Sequence, residues 1–116
     1  MSQTIEVIDL GFSVADAEDI AFKFDGSDLL VEFTDWQETR ITIKCENTLG
    51  IKFQNAEYEL SELERFDSCH IVHDSDWVRE HLKQGEAWSG ENWCHYKLNF
   101  NAVGVMEILC AKLAKT

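Results

Sequence analysis

With 116 residues, 45% of them hydrophobic, the chain is long enough for one hydrophobic core and too apolar for a disordered segment. It contains no proline and only six glycines, which excludes a Pro-rich recognition segment or a Gly-rich linker. The net charge of −12 argues against nucleic acid as a partner, because phosphates would be repelled.

The opening "MSQTIEVIDL" is acidic and lacks the basic and apolar regions of an export signal. The longest apolar stretch, "NAVGVMEILCAKLA", is too short for a membrane span and carries Glu107. A cytoplasmic protein with no membrane partner is the expectation. The acids are concentrated: residues 1–38 hold ten of them against one base, Lys23. Such a surface keeps a small protein soluble, and it also attracts a basic protein and speeds its approach.

"DIAFKFDGSDLLVEFTDW" predicts a hairpin around a two-residue Gly26-Ser27 turn. That register pairs Phe24 with Leu29, Phe22 with Val31 and Ile20 with Phe33, so all six share one face. The other face carries Asp19, Lys23, Leu30, Glu32 and Thr34. "RITIKCEN" continues the alternation, with Ile41, Ile43 and Cys45 inward. A three-residue loop Gln37-Glu38-Thr39 would set Ile43 opposite Phe33, Cys45 opposite Val31, and Trp36 opposite Arg40 as a cation–π pair. "GIKFQ" is a candidate short strand.

"NAEYELSELERF" spaces Ala56, Leu60 and Leu63 as a short helix would. "SCHIVH" reads as a strand. "DSDWVREHLKQG" reads as a helix capped by Asp74 or Ser75, with Asp76 at the positive end of its dipole, Val78 and Leu82 as its buried stripe and Gly85 at its C-terminus. In "WCHYKLNF", Cys94, Tyr96, Leu98 and Phe100 point inward and His95, Lys97 and Asn99 outward. "VMEILCAKLA" is a last strand with Met106, Ile108 and Cys110 on one face. The predicted architecture is a single α+β domain over residues 1–116: a mostly antiparallel, twisted sheet of six or seven strands, covered by one or two short helices.

"DSCHIVHDSDW" packs one thiol, two imidazoles and three carboxylates into eleven positions, and Cys94-His95 follows. Strand parity separates each Cys-His pair, so neither pair can bind one metal ion without a bulge. Cys45, Cys69, Cys94 and Cys110 all fall on apolar faces, and no C-x-x-C is present. Buried, reduced structural thiols are therefore expected, and no cofactor. Asp74 and Asp76 have a local role at the helix start. The alternative is a metal or thiol/His-dependent centre drawn from Cys69, His70, His73, Asp74 and His95. "GEAWSGEN" has the outer glycine spacing of a phosphate loop, but Glu91-Asn92 stands where Lys and Ser or Thr are required.

The tryptophans Trp36, Trp88 and Trp93 lie near loops, where such residues anchor either a core edge or an interface. The stretches "DAEDIAFKFDGSDLLVEFTDW", "RITIKCENTLGIKF" and "HYKLNFNAVGVMEILCAKL", in that order around an acidic middle, carry a resemblance. Asp16-Ala17-Glu18 and His95-Tyr96 before Asn101–Gly104 are its most specific parts. The layout resembles a diffuse group of small uncharacterised bacterial proteins, some similar to the immunity proteins of polymorphic toxin systems. The resemblance implies a non-enzymatic bacterial protein that binds a partner protein; the acidic charge makes a basic partner the expectation, with occlusion as the mechanism. The expected contact surface is Asp16, Glu18, Asp19, Glu32 and Asp35 with Trp36, Trp88 and Trp93. A homodimer through an unpaired edge strand is the further alternative.

Overall fold

The first hairpin forms as its pattern requires. In the computed structural model, which describes residues 3–55, 67–85, 92–100 and 104–116, β2 (Glu18–Phe24) pairs antiparallel with β3 (Leu29–Thr34). Phe24 faces Leu29 and Phe22 faces Val31, around a turn in which Gly26 takes φ +98°. That conformation suits glycine because a Cβ would be strained there. The Asp25 carboxylate accepts the Ser27 and Asp28 amides, and these bonds hold its carboxyl below the usual range. The expected Ile20–Phe33 pair does not form. A bulge places Asp19 and Ile20 together between the Glu18–Thr34 and Ala21–Glu32 pairs, with Asp19 at φ +51°.

β4 (Arg40–Glu46) also joins in antiparallel fashion, but two residues out of the expected register: Phe33 faces Ile41, Val31 faces Ile43, and Leu29 faces Cys45. The side-chain parity survives, so the same residues point inward. The cause lies in the loop. Asp35 Oδ1 accepts the Gln37 and Thr39 amides, and Glu38 takes the left-handed conformation at φ +63°. The three loop residues are thus Trp36-Gln37-Glu38. Trp36 stands at the tip, not opposite Arg40, and the expected cation–π pair gives way to Arg40–Thr34 pairing.

The remaining strands are β1 (Thr4–Ile8), β5 (Gly50–Asn55), β6 (Cys69–His73), β7 (Cys94–Phe100), β8 (Gly104–Cys110) and β9 (Lys112–Lys115). They complete two antiparallel sheets, ordered β1-β6-β7-β8-β5 and β2-β3-β4-β9. The expected single sheet under helices is therefore corrected to two sheets sharing one core, with nine strands and one helix among the described residues. The core joins Leu29, Val31, Phe33, Ile41, Ile43 and Cys45 to Cys69, Tyr96, Leu98, Phe100, Met106, Ile108 and Cys110. Phe33 meets Phe100 edge to face at 5.4 Å between ring centres.

The expected last strand is two strands. Cys110 and Leu113 both enter the core, three residues apart, which no continuous strand allows. A bend at Ala111, whose amide donates to the Glu46 carbonyl, moves the chain from one sheet to the other. β9 is an edge strand, and Lys112 and Lys115 guard it with exposed charge.

The helix α1 (Asp76–Lys83) starts on Ser75, whose hydroxyl accepts the Val78 amide, and ends before Gly85 at φ +76°. Its anchor differs from the expected one. Val78 is only half-buried and Leu82 is exposed. Trp77 makes the seat: its ring lies 5.1 Å from the His95 ring, and Lys52 Nζ sits 4.2 Å above it. Beneath it is Gly50, where any Cβ would collide with the indole. Because this covers the outer face of the larger sheet, His95 is buried there rather than facing solvent; Asn99, also expected outward, is buried too. The helix expected within 55–66 lies outside the described residues, apart from Asn55, which ends β5.

Candidate functional site

Two places concentrate chemistry, one on the outer face of the larger sheet and one at an edge shared by both sheets. On the first, strand register sets Val72, His95, Leu109 and Gly50 in one row and His70, Lys97, Glu107 and Lys52 in the next. His95 Nε2 lies 2.8 Å from Glu107 Oε1, and His95 Nδ1 lies 2.7 Å from Ser75 Oγ. With Glu107 ionised, Nε2–H donates to the carboxylate, and in the neutral imidazole Nδ1 then accepts the Ser75 hydroxyl proton. The bond from His95 holds the Glu107 carboxyl below its ordinary range, aided by the charges of Lys97 and Lys52.

The residue types match nucleophile, base and acid, but their surroundings are those of a strut. Ser75 is buried, and its oxygen is also occupied by the Val78 amide of the helix cap. The chain Ser75–His95–Glu107 thus ties the start of α1 to two central strands.

The residues of the alternative metal or thiol centre fall on both faces of the larger sheet. Cys69 points into the core, and burial, aided by the Asp9 charge, pushes its thiol up to about 12. His70 is buried on the opposite face, with Nδ1 3.4 Å from the Lys97 carbonyl oxygen. His73 is exposed and bonds Glu6 at 2.9 Å. Asp74 occupies a left-handed turn at φ +53°. Among the described residues no three His, Cys, Asp or Glu side chains converge as a metal site. Cys45, Cys69 and Cys110 are buried and Cys94 half-buried, all as free thiols. The bond with Cys45, then burial, raises the Cys110 thiol well above its ordinary value.

The second place is the edge strand β2. Nearly every residue of it is exposed, although its partners Leu29 and Val31 are fully buried. Phe22 and Phe24 are 52% and 48% exposed, and Phe53 of β5 is 42% exposed. Phe22 and Phe53 stack with ring centres 6.5 Å apart, so the aromatic surface runs from one sheet to the other. Phe22 and Phe24 were expected inward by parity, and they do lie on the inward face. The opposing sheet meets Phe22 through Phe53, yet both rings stay about half exposed. Periodicity reports a face but not its coverage, so this surface was hidden in the sequence.

The expected contact residues divide around this edge. Glu18 and Asp19 are exposed on β2, and Asp16 precedes them at φ +49°. Glu32 lies on β3, 3.5 Å from Arg40, which also bonds the Asp19 carbonyl and the Thr34 hydroxyl. Asp35 is committed to its loop, as described. Trp36 is 58% exposed at the loop tip. Trp93 is half-buried beside β7, and Trp88 lies outside the described residues.

Fold and surface together define an antiparallel β protein with a small helix and an exposed acidic, aromatic edge. No family model matches the sequence, and no curated protein matches it. A solved structure of an uncharacterised protein from Neisseria gonorrhoeae is similar to it, with a TM-score of 0.49 and 13% identity, over 99% of this chain and 97% of that one. At that identity and score it assigns no residue role.

Proposed function

We propose that this is a non-enzymatic binding module that takes a basic protein partner at the edge formed by Phe22, Phe24 and Phe53. One observation carries the reading: three phenylalanines, each about half exposed, are gathered at the margin of both sheets. Contiguous exposed apolar surface of this kind marks interaction sites. Glu18, Asp19, Asp25 and Glu32 are exposed beside it, and the net charge of −12 favours approach of a positive partner. A binding role is further supported by the commitment of Ser75 to its helix cap and by the burial of Cys69, which raises its thiol. Occlusion of the partner's basic working surface is the form this binding takes.

The test is affinity capture from a lysate of the source organism, with wild-type bait compared with a Phe22→Ser/Phe24→Ser variant and with a Glu18→Gln/Glu32→Gln variant. The expected result is a stoichiometric basic protein on the wild-type bait at low salt. The serine variant should retain it at least tenfold less, since burying one phenylalanine contributes about 1.5–3 kcal/mol. The glutamine variant should retain less at low salt and differ little at high salt. A Val7→Ser control, at the opposite edge of the larger sheet, should bind normally. A partner retained equally by all baits would refute the site. An empty wild-type bait would refute the reading.

A further inference from the structure

The backbone of β2 carries a second signal that the aromatic surface alone does not. In an antiparallel pair, hydrogen-bonded and non-hydrogen-bonded residue pairs alternate. The Asp25 amide donates to the Asp28 carbonyl at 3.2 Å, so the turn is closed by a bonded pair. Counting back along the register, Lys23–Leu30 and Ala21–Glu32 are bonded pairs, and Phe24–Leu29 and Phe22–Val31 are not. The N–H and C=O of Phe22 and of Phe24 therefore point away from β3, toward the free edge. Among the described residues no strand pairs with that edge. The two residues with half-exposed rings are the same two whose backbone groups are presented outward.

Natural edges are blunted by charge, proline or bulges. Here the Asp19–Ile20 bulge ends regular geometry on one side and the Gly26-Ser27 turn on the other. Between them, residues 21–24 carry one charged side chain, Lys23, and no proline. That window is short, regular and open.

The charges around it select the occupant. A second copy, antiparallel across β2 and centred on Lys23, would bring Glu18 and Asp19 of each chain toward Asp25 and Asp28 of the other. A parallel copy would align like acids directly. Both arrangements juxtapose like charges, which is unfavourable across a strand pair. An extended segment with apolar side chains at alternate positions and Lys or Arg between and beyond them meets Lys23 as a like charge, but this is outweighed by the opposite charges of Glu18, Asp19, Asp25 and Asp28 around the window.

We infer that β2 accepts a strand from its partner: an extended, basic, alternating segment adds to the edge of the four-stranded sheet, bonding to the backbone of Phe22 and Phe24. The inference rests on the binding-module reading above and specifies its mode. In it, backbone bonds give the segment its register, the phenylalanine rings bury its apolar side chains, and the acids fix the sign of its charge.

The probe is a seven-residue peptide alternating lysine and valine, blocked at both ends, added to the ¹⁵N-labelled full chain at low salt. In the free protein the Phe22 and Phe24 amides should exchange with solvent fast and the Ala21 and Lys23 amides slowly. On titration the Phe22 and Phe24 amides should become protected. The same peptide N-methylated at alternate amides along one edge should bind about tenfold more weakly, as loss of two backbone bonds requires.

Binding with no protection at Phe22 and Phe24, or equal binding of the methylated peptide, overturns strand addition while leaving the aromatic surface as a binding site. Failure of the unmodified peptide to bind at low salt also overturns it, and the capture experiment still decides the binding-module reading separately. Protection of the same amides without peptide, rising with protein concentration and accompanied by dimer sedimentation, makes the occupant a second copy and overturns the basic-segment assignment.

Discussion

Replacing Gly50 with alanine is expected to destabilise the protein by about 2–3 kcal/mol, the upper range for forcing one extra methyl into packed surroundings. A Cβ on Gly50 collides with Trp77 Cζ2 and stands 3.1 Å and 3.2 Å from Cη2 and Cε2. The indole has little room to yield, because the His95 ring lies beside it and Lys52 Nζ covers it. The helix α1 must then lift from the sheet. Denaturant unfolding measures the loss. A Trp77→Ala companion makes the assignment specific: in its background the Gly50→Ala cost should fall to under about 0.5 kcal/mol, as a double-mutant cycle requires for residues in contact. An equal cost in both backgrounds would place the strain elsewhere.

Replacing His95 with alanine should cost about 3–4 kcal/mol. It deletes two hydrogen bonds, deprives the Glu107 carboxylate and the buried Ser75 hydroxyl of their shared partner, and opens a cavity under Trp77. The same link has a pH signature. Glu107 titrates below 4.5 in the folded protein, chiefly through its bond with His95, against about 4.5 when unfolded. In that window the unfolded state binds more protons, so stability rises with pH. Its contribution is therefore present above about pH 4.5 and is lost as pH falls through the folded value. A Glu107→Gln variant, followed by unfolding between pH 3 and 6, should show a shallower fall in stability at the acid end than wild type. An unchanged acid slope would mean that Glu107 is not the group responsible.

These two sites also show where sequence reading reaches its limit. The alternation of Leu29, Val31, Phe33, Ile41, Ile43 and Cys45 is a local signal, and each of these residues is buried where parity placed it. Ser75, Gly26 and Gly85 announced a cap and two chain reversals through chemistry confined to a few neighbours. The β3–β4 register slipped by two because Asp35, as a loop acceptor, moved the turn forward one position.

What failed was everything that depends on which element covers which face. His95 looked solvent-facing until a tryptophan eighteen positions earlier was found packed against it. The partnership of Gly50 with Trp77 leaves no mark in either local pattern. Phe22 and Phe24 read as core because no periodicity distinguishes a central strand from an edge. The bend at Ala111 was legible in principle: the three-residue spacing of Cys110 and Leu113 breaks a single strand's parity. Of the acids named from charge, Glu18, Asp19 and Glu32 are exposed on β2 and β3, while Asp35 serves its own loop.

The claim that unites these observations is that the β2 edge and Phe53 form the binding face. Amide hydrogen exchange read by mass spectrometry, on the protein alone and saturated with the basic partner retained in the capture experiment, tests it most directly. The account predicts slowed exchange in segments spanning residues 18–24 and 50–55, with residues 69–83 unchanged. Slowed exchange confined to residues 69–83, or to any region that leaves β2 as open as before, would contradict it.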